Sequence, residues 1–314
     1  MPAIARKARF SVRNWREYNE SLVARGSITF WFSEEILANW HHENGECKRG
    51  RPFTYSDSTV ELFLTIRELL RLPYRQTEGF VRSMLSLITE GLQVPDFTSV
   101  AKRAAKLNVN LAVLPRRGRI DVVLDSTGLK VFGEGEWKVR QHGPSKRRTW
   151  QKLHVAMDPH THEILAELLT TNAGHDADQA ATLLDAVPSR IATVTGDGAY
   201  DQWKVYDTVA ERGAQPRIAP RHNAKIKRHA NAAGPALARD QAIRLIRRIG
   251  RKQWKELVGY HRRSLVETTM FRLKTIFGSK LKNRTLENQS TEARLRCKIL
   301  NQFTQPRPRR ARPD

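Results

Sequence analysis

The 314 residues carry 55 Lys and Arg against 32 Asp and Glu, a formal charge of +23 with a pI near 10.6. An excess of that size excludes a typical small-molecule enzyme and points to a polyanionic partner, because basic side chains that displace condensed counterions from phosphates gain free energy through ion release. Nucleic acid fits that charge; a membrane fits poorly, since no apolar run is long enough to span a bilayer.

The first twenty residues are charged but lack the apolar middle of a secretory signal. A cytoplasmic, nucleoid-associated protein is therefore expected, with Cys47 and Cys297 as reduced structural thiols, far apart and in no metal-ligand spacing. Residues from about 30 to 110 read as helices. In STVELFLTIRELLRL, Val60, Phe63, Leu64, Arg67 and Leu70 follow helical spacing, and Pro73 stops the run. A second helix is expected from near Thr77 to Gly91, and a third over SVAKRAAKL with Thr98 as its cap. A tight connection between the last two suggests a helix-turn-helix, with Lys102, Arg103 and Lys106 on a polar face able to enter a major groove. A helical DNA-binding domain is accordingly expected over residues 1–113.

The basic linker LPRRGR precedes a change of period. IDVVLDSTGLKV, KLHVAMD and EILAELLT are rich in β-branched and apolar residues, and DPHTH turns between the last two. ADQAATLLDAV reads as a helix, ATVTGD as a short buried strand, QWKVYDTVAERG as a helix closed by Gly213, and PRIAP as a strand. The order βββαβαβα is that of the ribonuclease-H-like fold: a mixed five-stranded sheet with flanking helices, over residues 114–303. Residues 221–250 read as a basic loop entering a basic helix. The segment 304–314 reads as a basic disordered tail.

Three carboxylates stand out. Asp125 lies within the first strand and Asp197 ends the fourth, and in such a sheet these strands are neighbours, so one divalent ion can be shared between them. Gly196 and Gly198 remove side-chain bulk beside Asp197. In GYHRRSLVETTMFRLKTIFG, Tyr260, Arg263, Glu267 and Lys274 stand at i, i+3, i+7 and i+14, one stripe of a helix if the helix reaches back to Tyr260. The adjacent stripe, Val266, Met270, Leu273 and Phe277, is apolar and expected on the sheet. An ordinary i, i+4 pair between Arg263 and Glu267 is the alternative for that helix alone.

Tyr260-x2-Arg263-x3-Glu267-x6-Lys274, with LDSTGLKVFGEGEWKVRQHG, KRRTWQKLHVAMD and TGDGAYD, resembles the motif blocks of bacterial insertion-sequence DDE transposases, most nearly the insertion-sequence-five family. The resemblance implies a metal-dependent endonuclease and strand transferase that binds terminal inverted repeats, cuts at element ends and joins 3′ ends to target DNA. It implies two Mg²⁺ ions, with Mn²⁺ as substitute, held by Asp125, Asp197 and Glu267, and DNA contacts at Tyr260, Arg263 and Lys274. Bringing two ends together suggests a homodimer or larger assembly.

Other residues are set aside. Asp121 shares the face of Asp125 but sits at the strand's start. Glu256, eleven residues before Glu267, suits a solvated surface; His154 and His175 suit packing or surface roles, as do Trp150 and Trp203, although a tryptophan can stack on an unpaired base. GEGEW lacks the third glycine of a dinucleotide fingerprint. A DNA-binding repressor without catalysis and a structure-specific nuclease that never joins strands are the competing functions.

Overall fold

The computed structural model describes residues 15–27, 31–45, 52–89, 91–131, 150–228 and 237–304. Cys47, the GEGEW segment and the tail beyond Thr304 lie outside them.

The helices that precede the sheet are α1 (Trp15–Ala24), α2 (Glu34–Ala38), α3 (Asp57–Leu70), α4 (Tyr74–Ile88) and α5 (Phe97–Ala104). Two boundaries differ from expectation. The cap of α5 is Asp96, not Thr98: its carboxylate accepts from the backbone N–H of Thr98 and of Ser99 at 2.9 and 3.1 Å, which satisfies donors that otherwise have no partner. Helix α4 ends at Ile88, so residues 89–96 separate it from α5. That connection is longer than the three or four residues of a tight helix-turn-helix.

The sheet is built from β1 (Ile120–Val131), β2 (Trp150–Met157), β3 (Ile164–Thr171), β4 (Ile191–Gly196) and β5 (Gln215–Ile218). Their spatial order is β3-β2-β1-β4-β5. The first three strands form an antiparallel meander, and β4 and β5 run parallel to β1 and to each other. The five expected strands are thus in place, in the order of a ribonuclease-H-like sheet. A sixth, β6 (Lys280–Leu281), pairs with the far end of β1; two residues are too few for an alternating pattern to reveal.

Helices α6 (Asp176–Asp185) and α7 (Trp203–Glu211) cover one face. Helices α8 (Ala238–Ile249) and α9 (Arg251–Leu257) follow β5, α10 (Ser264–Phe277) precedes β6, and α11 (Leu286–Thr304) ends the described chain. Strand β1 divides its side chains with period two. Val122 and Leu124 join the core under α6 and α7, whereas Val123 and Leu129 join the core under α10 and α11. That second core also contains Val60 and Phe63 of α3, Val81 and Leu85 of α4 and Val100 of α5. The helices before the sheet and the face of the sheet that α10 and α11 cover therefore share one apolar interior.

Candidate active site

Strands β1 and β4 pair from Ile120↔Ile191 to Val123↔Thr195 and then part. Asp125 and Asp197 each stand two residues beyond that last pair, so the two carboxylates flank the opening of the ladder on the side that α10 covers. Openings at the carboxyl ends of parallel strands are where open α/β sheets leave room for a ligand. Asp125 occupies a position whose neighbours along the face, Val123 and Leu129, are core residues, and its Oδ1 accepts from the Ser126 backbone N–H at 2.8 Å. Asp197 caps a single 3-10 turn, Gly198–Tyr200, by accepting from Ala199 N–H at 2.8 Å.

Helix α10 brings the third group. Val266, Met270, Leu273 and Phe277 are buried against the sheet as expected, and this anchors Glu267 at the rim. Arg263, at the start of α10, donates to Asp125 Oδ2 at 3.2 Å with one guanidinium nitrogen and to Glu267 with another. Burial pushes the Asp125 carboxyl above its ordinary value; the Ser126 N–H and Arg263 oppose this, and the charges of Asp197 and Glu267 add to it. Asp125 thus feels both other carboxylates, with the Arg263 guanidinium beside it.

The stripe is shorter than expected. Tyr260–Arg263 is a 3-10 turn rather than a first turn of α10, because Gly259 takes φ +68° and separates it from α9. Tyr260 consequently turns inward, its ring 5.9 Å from that of Trp254, with Lys255 above it. Lys274 stays on the rim, half-buried, and burial lowers its pKa.

Other expectations sort by geometry. Lys102 and Lys106 are exposed, but Arg103 does not stand with them: it donates to the Tyr55 carbonyl, pairs with Asp57 and covers the Phe53 ring. It fastens α5 to the start of α3. Gly196 serves packing, since a Cβ there would lie 3.0 Å from the Tyr200 ring. His154 is fully buried on the α6 face, its Nε2 2.9 Å from Thr170 Oγ1, and burial lowers its pKa to about 4. His175 is exposed ahead of α6, and Glu256 is exposed on α9, a different helix from Glu267. Trp150 packs over Gly128 with Lys130 above it. Trp203 has Lys227 and Arg239 each 4.9 Å from its ring. Cys297 is buried and free.

Asp121 belongs to an ion cluster. Thr193 donates to it at 2.6 Å, and His160, Arg262 and Arg217 surround its other oxygen at 3.1, 3.7 and 4.0 Å. Burial works against its charge, yet Thr193, His160 and Arg217 hold its carboxyl below the usual range. These partners come from four separate segments, so no sequence spacing announces them. The same is true of an open basic recess beside Asp197, rimmed by Arg221, His222 and Arg251.

Residues 116–302 match a family model described as a transposase DDE domain, and residues 23–134 match a second model of that description. The chain belongs to the DDE transposase family. The piggyBac transposase in a synaptic complex with hairpin DNA is 11% identical, with 90% of this chain and 74% of that chain covered and a TM-score of 0.38. No helix among the described residues of the transposase is long and apolar enough to cross a membrane. Among those residues no three His, Cys, Asp or Glu side chains stand ready to enclose an ion, and Arg263 lies between Asp125 and Glu267. The donor set itself, three carboxylates and no soft ligand, fits a hard divalent cation.

Proposed function

We propose that this transposase cuts DNA at the ends of its own element and joins the exposed 3′ ends to target DNA by two-metal phosphoryl transfer, with Asp125, Asp197 and Glu267 as ligands. The observation that carries the reading is the single Arg263 guanidinium spread across Asp125 and Glu267, with Asp197 close enough to raise the Asp125 pKa. Three converging carboxylates with one organic cation leave negative charge for divalent ions to neutralise. Two Mg²⁺, or Mn²⁺ in their place, would activate the attacking water or 3′-hydroxyl and stabilise the leaving oxygen.

The chain's own residues supply the rest. Asp125, whose carboxyl feels both Asp197 and Glu267, would hold metal together with them. Arg263, freed from its carboxylates, offers a planar fork to phosphate oxygens. Lys274 holds a phosphate farther along the strand as a point charge. The buried Tyr260 fixes the turn that aims Arg263. Lys102 on the exposed face of α5 and Lys106, two residues past its end, would contact the terminal inverted repeats in a helix-turn-helix-like domain over residues 1–113, with Arg103 securing α5 from behind. The match of Tyr260, Arg263, Glu267 and Lys274 to the insertion-sequence-five signature supports membership of that group. A homodimer or larger assembly bound to double-stranded DNA at the bacterial nucleoid completes the proposal.

The test is a labelled DNA carrying the element's ends, incubated with purified protein in Mg²⁺, Mn²⁺ or EDTA. Metal-dependent cutting followed by joining is expected, and Asp125→Ala, Asp197→Ala and Glu267→Ala should each bind without cutting. Detectable cleavage by all three variants would overturn the assignment. Binding by the wild type without nicking would favour a repressor, and cutting without joining a nuclease.

A further inference from the structure

Tyr200 is 1% exposed, yet its hydroxyl has no hydrogen-bond partner among the described residues. A phenol that gives up water on folding and finds no replacement costs stability, so a buried group of this kind calls for a reason. Packing accounts for the ring alone. It sits in the core under α6 and α7, beneath Gly196 at the end of β4, where a Cβ would lie 3.0 Å from it. The Tyr200 backbone N–H donates to the Asp197 carbonyl at 3.1 Å and so closes the turn that Asp197 caps. A phenylalanine would fill the same space; the oxygen is what remains to be explained.

Burial, then the charges of Asp176, Asp125 and Asp197 in that order, push the phenol pKa up. The hydroxyl therefore keeps its hydrogen, with one bond to donate and a lone pair to accept. Asp176 is the acceptor on the α6 side. It opens α6, and its Oδ1 is also buried without a hydrogen bond, although Lys152 Nζ lies 3.0 Å and His154 Nδ1 3.4 Å from it. His154 supplies no donor there. Its Nε2 meets Thr170 Oγ1, whose own hydrogen goes to the Thr171 carbonyl, so the imidazole hydrogen sits on Nε2 and Nδ1 is a second acceptor. An O–H turned toward Asp176 leaves its lone pair on the side of Asp125 and Asp197, at the opening between β1 and β4. Two carboxylates offer that lone pair nothing, because they too only accept. A hard divalent cation between them changes this, since it retains several waters and each water donates.

We propose that Tyr200 is a positioning residue for the cation site, its hydroxyl joining Asp176 to water held by an ion at Asp125 and Asp197. The proposal deepens the function proposed above and rests on its metal site, not on strand joining. Partners of this outer kind fix how ligands and their ion are oriented, and their loss is felt in metal affinity. The hydroxyl lowers stability while the ion is away and acts once it is bound, which accounts for a polar atom kept where packing has no use for it.

Mn²⁺ calorimetry without DNA, run beside urea unfolding in EDTA, tests this. Tyr200→Phe keeps the ring and removes only the oxygen. Its unfolding midpoint in EDTA should equal or exceed that of wild type, because a buried hydroxyl without a partner is gone. Its Mn²⁺ affinity should fall about tenfold. Asp176→Asn should also weaken Mn²⁺ binding, and by less when Tyr200→Phe is already present, since both changes break one chain of hydrogen bonds. Unchanged Mn²⁺ affinity in Tyr200→Phe overturns the proposal. So does a lower midpoint in EDTA, because the hydroxyl then serves the fold rather than the ion, and so do strictly additive effects of the two changes. A wild-type protein that binds no Mn²⁺ overturns the metal site and this proposal together. A tenfold loss of Mn²⁺ affinity in a protein that binds DNA without cutting it would count against the transposition chemistry and leave the role of Tyr200 standing.

Discussion

Two clusters of charge sit on the same side of the sheet and follow opposite rules. Between α3 and α11, Glu68 and Glu292 meet Arg67 and Arg296, with side-chain exposures from 0 to 5%. Arg296 Nε lies 2.9 Å from Glu68, Arg67 2.6 Å from the same carboxylate, and Glu292 also accepts from the backbone N–H groups of Lys282 and Asn283. Two anions and two guanidiniums balance. At the rim of α10, Asp125 and Glu267 share one guanidinium with Asp197 nearby, and Glu267 is 58% exposed. Burying charge is tolerable only when it is paired and hydrogen-bonded. The inner cluster comes nearer to that condition, although Arg67 Nε and Arg296 Nη1 lack a partner, and it ties the N-terminal helices to the last helix; the outer one leaves it unmet, as the proposed cation site requires.

The largest expected effect separates them outright. Asp125→Asn should lower cleavage by at least about a thousandfold, or roughly 4 kcal/mol of barrier. It should leave the urea unfolding midpoint unchanged or raised, because it removes a repelled buried carboxylate. Glu292→Ala should do the reverse to stability. Removing one of the two carboxylates that Arg296 meets at zero exposure costs up to about 3–5 kcal/mol in urea titrations, with no change in metal affinity in the folded fraction. If both variants lose stability equally, the distinction between joint and site fails.

Glu167 sharpens the comparison because it is buried like the inner cluster and under-paired like the outer one. Burial raises its pKa to about 7, opposed by Arg294, which stands 3.3 Å away and is 40% exposed. A carboxyl raised on folding is stabilising below its unfolded pKa, and that contribution is lost as pH rises through the folded value. Wild type should therefore lose up to about 3 kcal/mol between pH 4.5 and 8 from this group. Glu167→Gln should flatten that slope in thermal melts at pH 5 and pH 8. His154 contributes with the opposite sign, since its pKa is lowered to about 4: its share is present above pH 6.5 and lost as pH falls toward 4.

The smallest effect concerns Arg263, which competes with any cation for Asp125 and Glu267. Arg263→Ala should tighten Mn²⁺ binding by a few-fold in calorimetry while cleavage falls, because the phosphate loses its fork. Weaker Mn²⁺ binding in that variant would mean the guanidinium assists the ions rather than standing in their place.

Much of this was legible in the residues. The β-branched strands, Gly213 after α7 and the buried stripe Val266–Met270–Leu273–Phe277 follow from local period and backbone preference, which depend on neighbours in the chain. The cap of α5 was misplaced by two residues because Asp96 and Thr98 are both good caps, and only the hydrogen bonds choose. Tyr260 was assigned to a helical stripe that Gly259 interrupts.

The sequence by itself determined the kind of protein: its charge, the order of strands and helices, and three carboxylates whose spacing matches one family. Those properties are local or additive, so a chain read in order reveals them. Only the tertiary structure decided which cations meet which anions. Arg103 turns inward to α3, Arg263 bridges two site carboxylates, Arg296 is sealed against Glu68, and Asp121 draws partners from four segments. Apart from the i, i+4 contact of Arg263 with Glu267, each pairing joins residues that the chain keeps apart, and whether a charge is buried, balanced or left open to a ligand depends on packing that no single segment contains.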